Sequence, residues 1–130
     1  MPGRFLLDTH VVVDLSAHGG FEAMPARVRH ILEDPEAERL LSVASEVEIA
    51  IKCQLGKLDL TKNELSKICS NALISSYPVR RHHAEQLFTL PVHHKDPFDR
   101  LIISVALSED LPIVSCDRQF RKYKGLRVIW

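Results

Sequence analysis

Four acidic residues stand where a cation site would need them. Asp8 follows the apolar run Arg4-Phe5-Leu6-Leu7, and Asp117 follows Ile113-Val114-Ser115-Cys116. Asp99 lies in Asp96-Pro97-Phe98-Asp99, and Glu48 lies in a segment of helical pattern. Carboxylates gathered within about 4–6 Å repel one another and hold protons more tightly unless a cation neutralises them. Oxygen donors suit a hard divalent ion, Mg2+ or Mn2+ in its place. An ion of this kind neutralises charge on a phosphodiester and lowers the pKa of an attacking water, so hydrolysis of phosphodiester bonds is the chemistry to expect. Asp8, Asp99 and Asp117 are the expected metal ligands. Glu48 is expected to reach the ion through water or to orient the nucleophile.

Each acid also has a structural use at a helix start. Asp8 suits the cap of a helix from Thr9, Asp96 that of the Pro97 helix, and Asp117 that of residues 118–122. Asp99, at a third helical position, complements the helix dipole. Glu48 stands three residues after Ser45, a capping-box spacing, and four before Lys52, an ion-pair spacing. Caps need not share one sheet edge, yet Asp8 and Asp117 are expected on the same one, and helices bearing Glu48 and Asp99 can start from it. Asp96 is read as a cap before a ligand. His93 and His94 are adjacent loop residues expected to point apart, and no cysteine–histidine cluster favours zinc.

The elements that must position these residues alternate between strand and helix. Strands are expected at Arg4–Leu7, Arg39–Ser42, Ser76–Val79, Ile113–Cys116 and Leu126–Trp130. Helices are expected at His10–Ser16, Pro25–Glu33, Ala44–Leu55, 62–75, Arg81–Leu90 and Asp96–Glu109, with a short one through Lys122. Val47, Ile51 and Leu55 recur at helical spacing in the third, and Leu65, Ile68, Cys69 and Leu73 are expected inward in the fourth. Short strands apolar on both sides imply a parallel sheet covered on both faces, an α/β/α architecture. Ligands in such sheets sit beyond the carboxyl ends of the strands, where Asp8 and Asp117 stand.

Composition narrows the class. The chain has 130 residues, 45% hydrophobic and 26% charged, with a formal net charge of zero. One domain, residues 1–130, with its own core is expected. Binding of nucleic acid through bulk positive charge is excluded, so a local patch must serve. Residues 117–127 carry five basic residues against one acid, with Phe120 and Tyr123 interleaved. Those aromatics either stack on bases or turn into the core. Arg80-Arg81-His82-His83 reads as a solvated helix start. No apolar run suits a membrane span or a signal peptide, and the three cysteines (Cys53, Cys69, Cys116) read as reduced, mostly buried thiols of a cytoplasmic protein. No glycine-rich phosphate loop or GxSxG elbow is present.

Taken together, four segments resemble the motifs of the PIN-domain ribonucleases, and in particular the VapC-like toxins of type II toxin–antitoxin pairs. They are Leu6-Leu7-Asp8-Thr9-His10, Ser45-Glu46-Val47-Glu48-Ile49-Ala50-Ile51-Lys52, Leu90 through Arg100, and Ser115-Cys116-Asp117-Arg118-Gln119-Phe120. Val128-Ile129-Trp130 also fits. The resemblance implies a PIN-like parallel α/β/α sheet and an acidic catalytic quartet, which falls on Asp8, Glu48, Asp99 and Asp117. It implies Mg2+ or Mn2+, endoribonuclease activity on single strands, homodimerisation and neutralisation by a small VapB-like antitoxin. Glu48 is chosen over Glu46 because Ile-Ala-Ile-Lys follows it directly. Thr9, Arg100, Ser115 and Arg118, beside the quartet in the chain, are the expected substrate contacts. Two other readings remain open at this point: a PIN-type nuclease of RNA processing, and a binding module whose acids are caps or a dock for a basic peptide.

Overall fold

The computed structural model describes residues 3–130. Five strands form one sheet: β1 (Arg4–Leu7), β2 (Glu38–Ser42), β3 (Ile74–Tyr77), β4 (Ile113–Val114) and β5 (Val128–Ile129). Their order is β3-β2-β1-β4-β5 and every pairing is parallel. Side chains alternate across the sheet, so Leu6, Leu40 and Ile113 enter one core and Leu7, Leu41 and Val114 enter the other. The first core is closed by α6 (Pro97–Ser108), with α5 (Arg81–Gln86) packed on it and Ala44 of α3 (Val43–Gln54) at its edge. The second is closed by α1 (Thr9–Ser16), α2 (Ala26–Glu33) and α4 (Lys62–Asn71). This is the three-layer α/β/α fold that two-sided apolar strands imply.

Strand order places the site. The chain winds outward from β1 to β2 and β3, then crosses back to lay β4 and β5 on the other side of β1. The connections leaving β1 and β4 therefore diverge, and a crevice opens beyond their carboxyl ends.

Several elements differ from expectation. Helix α4 stops at Asn71, not 75, because Leu73 turns into the left-handed region at φ 54°. Leu73 is consequently exposed, while Leu65, Ile68 and Cys69 pack inward as expected. The strand after it starts at Ile74, two residues early. Helix α5 ends at Gln86, and the next residues to Leu90 form turns. Helix α3 begins one residue early, capped by Ser42, whose hydroxyl accepts from Ala44 N. Its apolar stripe, Val43, Val47, Ile51 and Leu55, faces solvent at 38–63% exposure. The inward residues are Ala44, Ser45, Glu48 and Ile49. Phe120 and Tyr123 turn into the core and do not offer faces to bases. None of the three cysteines is fully buried, and Cys116 is exposed. Among the described residues no helix is long and apolar enough to cross a membrane.

A buried arginine was not expected in β2. Arg39 is 3% exposed and donates to the carbonyls of Ile31, Asp34 and Ala72. These carbonyls end α2 and follow α4, so one cation satisfies the negative ends of two helices.

Candidate metal centre

Asp8 ends β1 in extended conformation and directly precedes α1, yet its carboxylate makes no cap bond. Its Oδ2 accepts a 2.7 Å hydrogen bond from the Ser115 hydroxyl. That hydroxyl also accepts from Asp117 N at 3.1 Å, so Ser115 fastens the ends of β1 and β4 together. Asp8 is 1% exposed, and its Oδ1 is buried without a hydrogen-bond partner among the described residues. Glu48 is 2% exposed. Its Oε2 lies 2.9 Å from Lys52 Nζ, the expected ion pair, while its Oε1 is likewise buried and unpartnered. The capping-box reading of Ser45 and Glu48 does not hold, since Ser42 is the cap and the Ser45 hydroxyl accepts from Thr9. That 2.8 Å bond ties α1 to the helix that carries Glu48.

Asp96 takes the capping role on α6, its Oδ1 accepting from Phe98 N and Asp99 N. This leaves the Asp99 carboxylate free to turn into the crevice. Asp99 Oδ2 and Asp117 Oδ2 lie 3.0 and 2.9 Å from the same atom, His94 Nε2. Asp117 also caps the 3-10 helix Arg118–Lys122 through Oδ1, which accepts from Gln119 N at 2.9 Å. His94, Asp99 and Asp117 thus each bring one polar side-chain atom within 4.8 Å of the others.

Electrostatics confirm the crowding. Burial pushes the Asp99 carboxyl up to about 7, and the charges of Asp8, Asp96 and Glu48 add to it, with His94 opposing. Asp8 holds the His10 imidazole up at about 9. The two groups are 3.9 Å apart and His10 is largely exposed, so this is a charge pair across a gap, too long for a hydrogen bond.

A divalent cation suits this donor set. Two buried carboxylate oxygens lack partners among the described residues, and a third acid, Asp99, is pushed up to about 7 by burial and by its acidic neighbours. A second group, His82, His83 and Glu109, also brings its ligand atoms within 4.8 Å. There His83 Nδ1 accepts from Arg80 N at 2.8 Å, so Nε2 carries the proton and gives it to Glu109. A protonated nitrogen is no ligand, and the trio is a clip between α5 and the end of α6. His83 is therefore buried, unlike the solvated helix start expected for its segment.

The other expected site residues take varied positions. Thr9 and Ser115 are buried and bonded as described. The Arg100 guanidinium reaches the carbonyls of Leu87, Leu90 and Pro91 and pins the loop before α6. Arg118 is exposed beside Asp117. Glu46 points elsewhere, accepting from the Ser76 hydroxyl at 2.6 Å. Sequence reasoning did not place two residues at the site, His94 and His10. His10 had a signal, standing two residues from Asp8 on the same helix start. His94 had one in the adjacent pair His93-His94, but its approach to the acids depends on how the loop folds back.

A cavity of about 450 Å3 touches none of the four acids and lies along Glu46, Lys62 and Leu65. An adjoining one of about 360 Å3 shares those three residues and adds Ile49, Ala50 and Cys53.

Comparison with known proteins agrees with the fold. No curated protein matches the chain. Among solved structures, it is similar to a chain of VapBC2 from Rickettsia felis bound to a promoter DNA fragment, with a TM-score of 0.70 and 12% identity over 97% of both chains. A chain of DNA-bound VapBC from Salmonella typhimurium matches with a TM-score of 0.65 and 17% identity, over 98% of this chain and 97% of that one. A toxin–antitoxin complex from Klebsiella pneumoniae matches at 0.57 and 18%, over 96% and 95%. The PIN-domain family model matches residues 5–126, which takes in β2, β3, β4, most of β1 and all four acids. The chain belongs to the PIN-domain family, a family of nucleases.

Proposed function

We propose that this protein is a metal-dependent endoribonuclease, the toxin of a type II toxin–antitoxin pair acting in the cytoplasm. The observation that carries the reading is the pair of unpartnered buried oxygens, Asp8 Oδ1 and Glu48 Oε1, in acids gathered around a proton-holding Asp99. Buried polar atoms without partners are few in native folds, and a bound cation would supply the partner these two oxygens lack. Asp8, Asp99 and Asp117 would hold Mg2+ or Mn2+. The bound ion would supply neutralisation of the scissile phosphate and acidification of the attacking water.

The chain's own residues do the rest. Ser115 holds Asp8 in place through its 2.7 Å bond. Lys52 fixes Glu48 by one oxygen, leaving Oε1 to accept a hydrogen bond from the attacking water and orient it at phosphorus. Attack forms the new P–O bond, and the P–O bond to the leaving nucleotide breaks. His10, positively charged at neutral pH, stands at the rim beside Asp8 and meets the phosphate from outside. Arg118, exposed next to Asp117, holds the strand's backbone.

Two surfaces support the expected protein partners. The exposed stripe of α3 suits a second copy of this chain, as in a homodimer. The paired cavities along α3 and α4 suit a short apolar segment of a small VapB-like antitoxin. The similar solved structures include two VapBC assemblies and a toxin–antitoxin complex, which favours a toxin over an RNA-processing nuclease. Induced expression in a bacterium is expected to arrest growth, with rescue by the product of a small adjacent reading frame. Asp99→Asn expressed to the same level should allow growth. Unchanged growth with the parent chain, or equal arrest by Asp99→Asn, would overturn the toxin reading.

A further inference from the structure

His94 is held from three directions. The backbone N–H groups of His93 and His94 donate to the Tyr123 hydroxyl at 3.2 and 3.0 Å. The His94 ring stands edge-on to Phe120, with centroids 5.7 Å apart. Its Nδ1 accepts from Asp96 N at 3.2 Å. An atom that accepts an N–H carries no proton of its own, so the ring proton sits on Nε2. That single N–H points between Asp99 Oδ2 and Asp117 Oδ2.

A nitrogen bearing a proton cannot coordinate a cation. The His94 N–H and a divalent ion nevertheless draw on the same pair of acids. Resting on the metal-centre reading above, we infer that His94 is an internal competitor for the cation position, and that ion binding is an exchange in which the imidazole gives up Asp99 and Asp117. The N–H serves as a one-proton stand-in for the ion: it bridges two carboxylates that would otherwise repel. The ring has room to leave, because a cavity of about 320 Å3 lined by His93, His94, Lys95, Asp96 and Gln119 lies against it. His94 is thus a positioning residue that sets the ion concentration at which the site loads.

Isothermal calorimetry with Mg2+ and Mn2+ on the parent, His94→Ala and Asp99→Asn tests this without reference to cleavage. Removing the N–H that occupies both acids should tighten ion binding in His94→Ala by about tenfold or more. Asp99→Asn should bind poorly. Equal affinity in the parent and His94→Ala, with Asp99→Asn still impaired, would overturn the exchange and leave the metal centre standing. Weaker binding by His94→Ala would do the same, making His94 a support of the ion. No ion binding by any of the three would overturn the metal centre itself and the exchange with it. Should His94→Ala fail to fold, the parent alone decides the matter. With 15N-labelled histidine, the His94 Nε2–H resonance should shift along the same Mg2+ isotherm as the heat. A resonance that stays in place while heat reports binding would refute the exchange.

Discussion

Asp99 shares its surroundings with the charges of Asp8, Asp96 and Glu48, and the folded chain holds its proton up to about pH 7, against 3.8 for an ordinary aspartate. Because the folded state binds this proton more tightly than the unfolded chain, its contribution to stability is complete below the ordinary value and is lost as the pH rises through about 7. With the ion chelated, Asp99→Asn should therefore be the more stable protein near pH 8, by on the order of 1–2 kcal/mol after allowance for solvent access. Near pH 5 the gap should close. Calorimetric melts in EDTA at the two pH values check this, and a gap that does not change with pH would contradict the crowded acid. The placements of Asp8 and Asp117 beyond strand ends were legible because each follows an apolar run, although β4 itself ends at Val114. The choice of Glu48 over Glu46 needed the resemblance, and the helix explains it: Glu48 shares the inward face with Ala44, Ser45 and Ile49, whereas Glu46 meets Ser76. His94 was illegible because Tyr123, some thirty residues away, fixes its loop.

At the scale of elements, Arg39 and α3 illustrate what pattern conceals. An arginine in a strand reads as exposed, but here it satisfies three carbonyls at the ends of two helices. Arg39→Met should destabilise the fold by about 2–4 kcal/mol, since buried acceptors then go unpaired. Denaturant unfolding measures this, and a change under about 0.5 kcal/mol would show that the carbonyls find other donors. The stripe of α3 was correctly periodic but its direction was not given by periodicity, because a helix with an apolar face can turn that face to a partner as well as to its own core. Ile51→Glu should leave the melting temperature of the monomer nearly unchanged and reduce self-association, read by light scattering after size exclusion. Strong destabilisation of a monomeric chain would instead mean that the stripe packs within the protomer. Helix α4 was overrun for a different reason. Its terminating residue, Leu73, adopts a left-handed conformation that glycine or asparagine would have announced and leucine does not.

For the whole molecule, the decisive feature is the position of β1 between β2 and β4. Two-sided apolar strands made the parallel sheet legible, and with it the edge at which acids gather. The order of strands was not legible, because it depends on which distant segments pair, and no local pattern encodes that. Yet the order is what brings Asp8 and Asp117 to adjacent strand ends, joined through Ser115. Helices α3 and α6, from the two halves of the chain, then deliver Glu48 and Asp99 to the same crevice. The most direct test of this convergence is cleavage of a mixed RNA pool by the purified, antitoxin-free protein with Mn2+ or Mg2+, alongside EDTA and Asp8→Asn controls. The expected result is cutting that requires the ion and is abolished in Asp8→Asn. Absence of cutting by a folded protein across several RNA classes, or equal cutting by Asp8→Asn, would contradict an acidic metal centre that hydrolyses RNA.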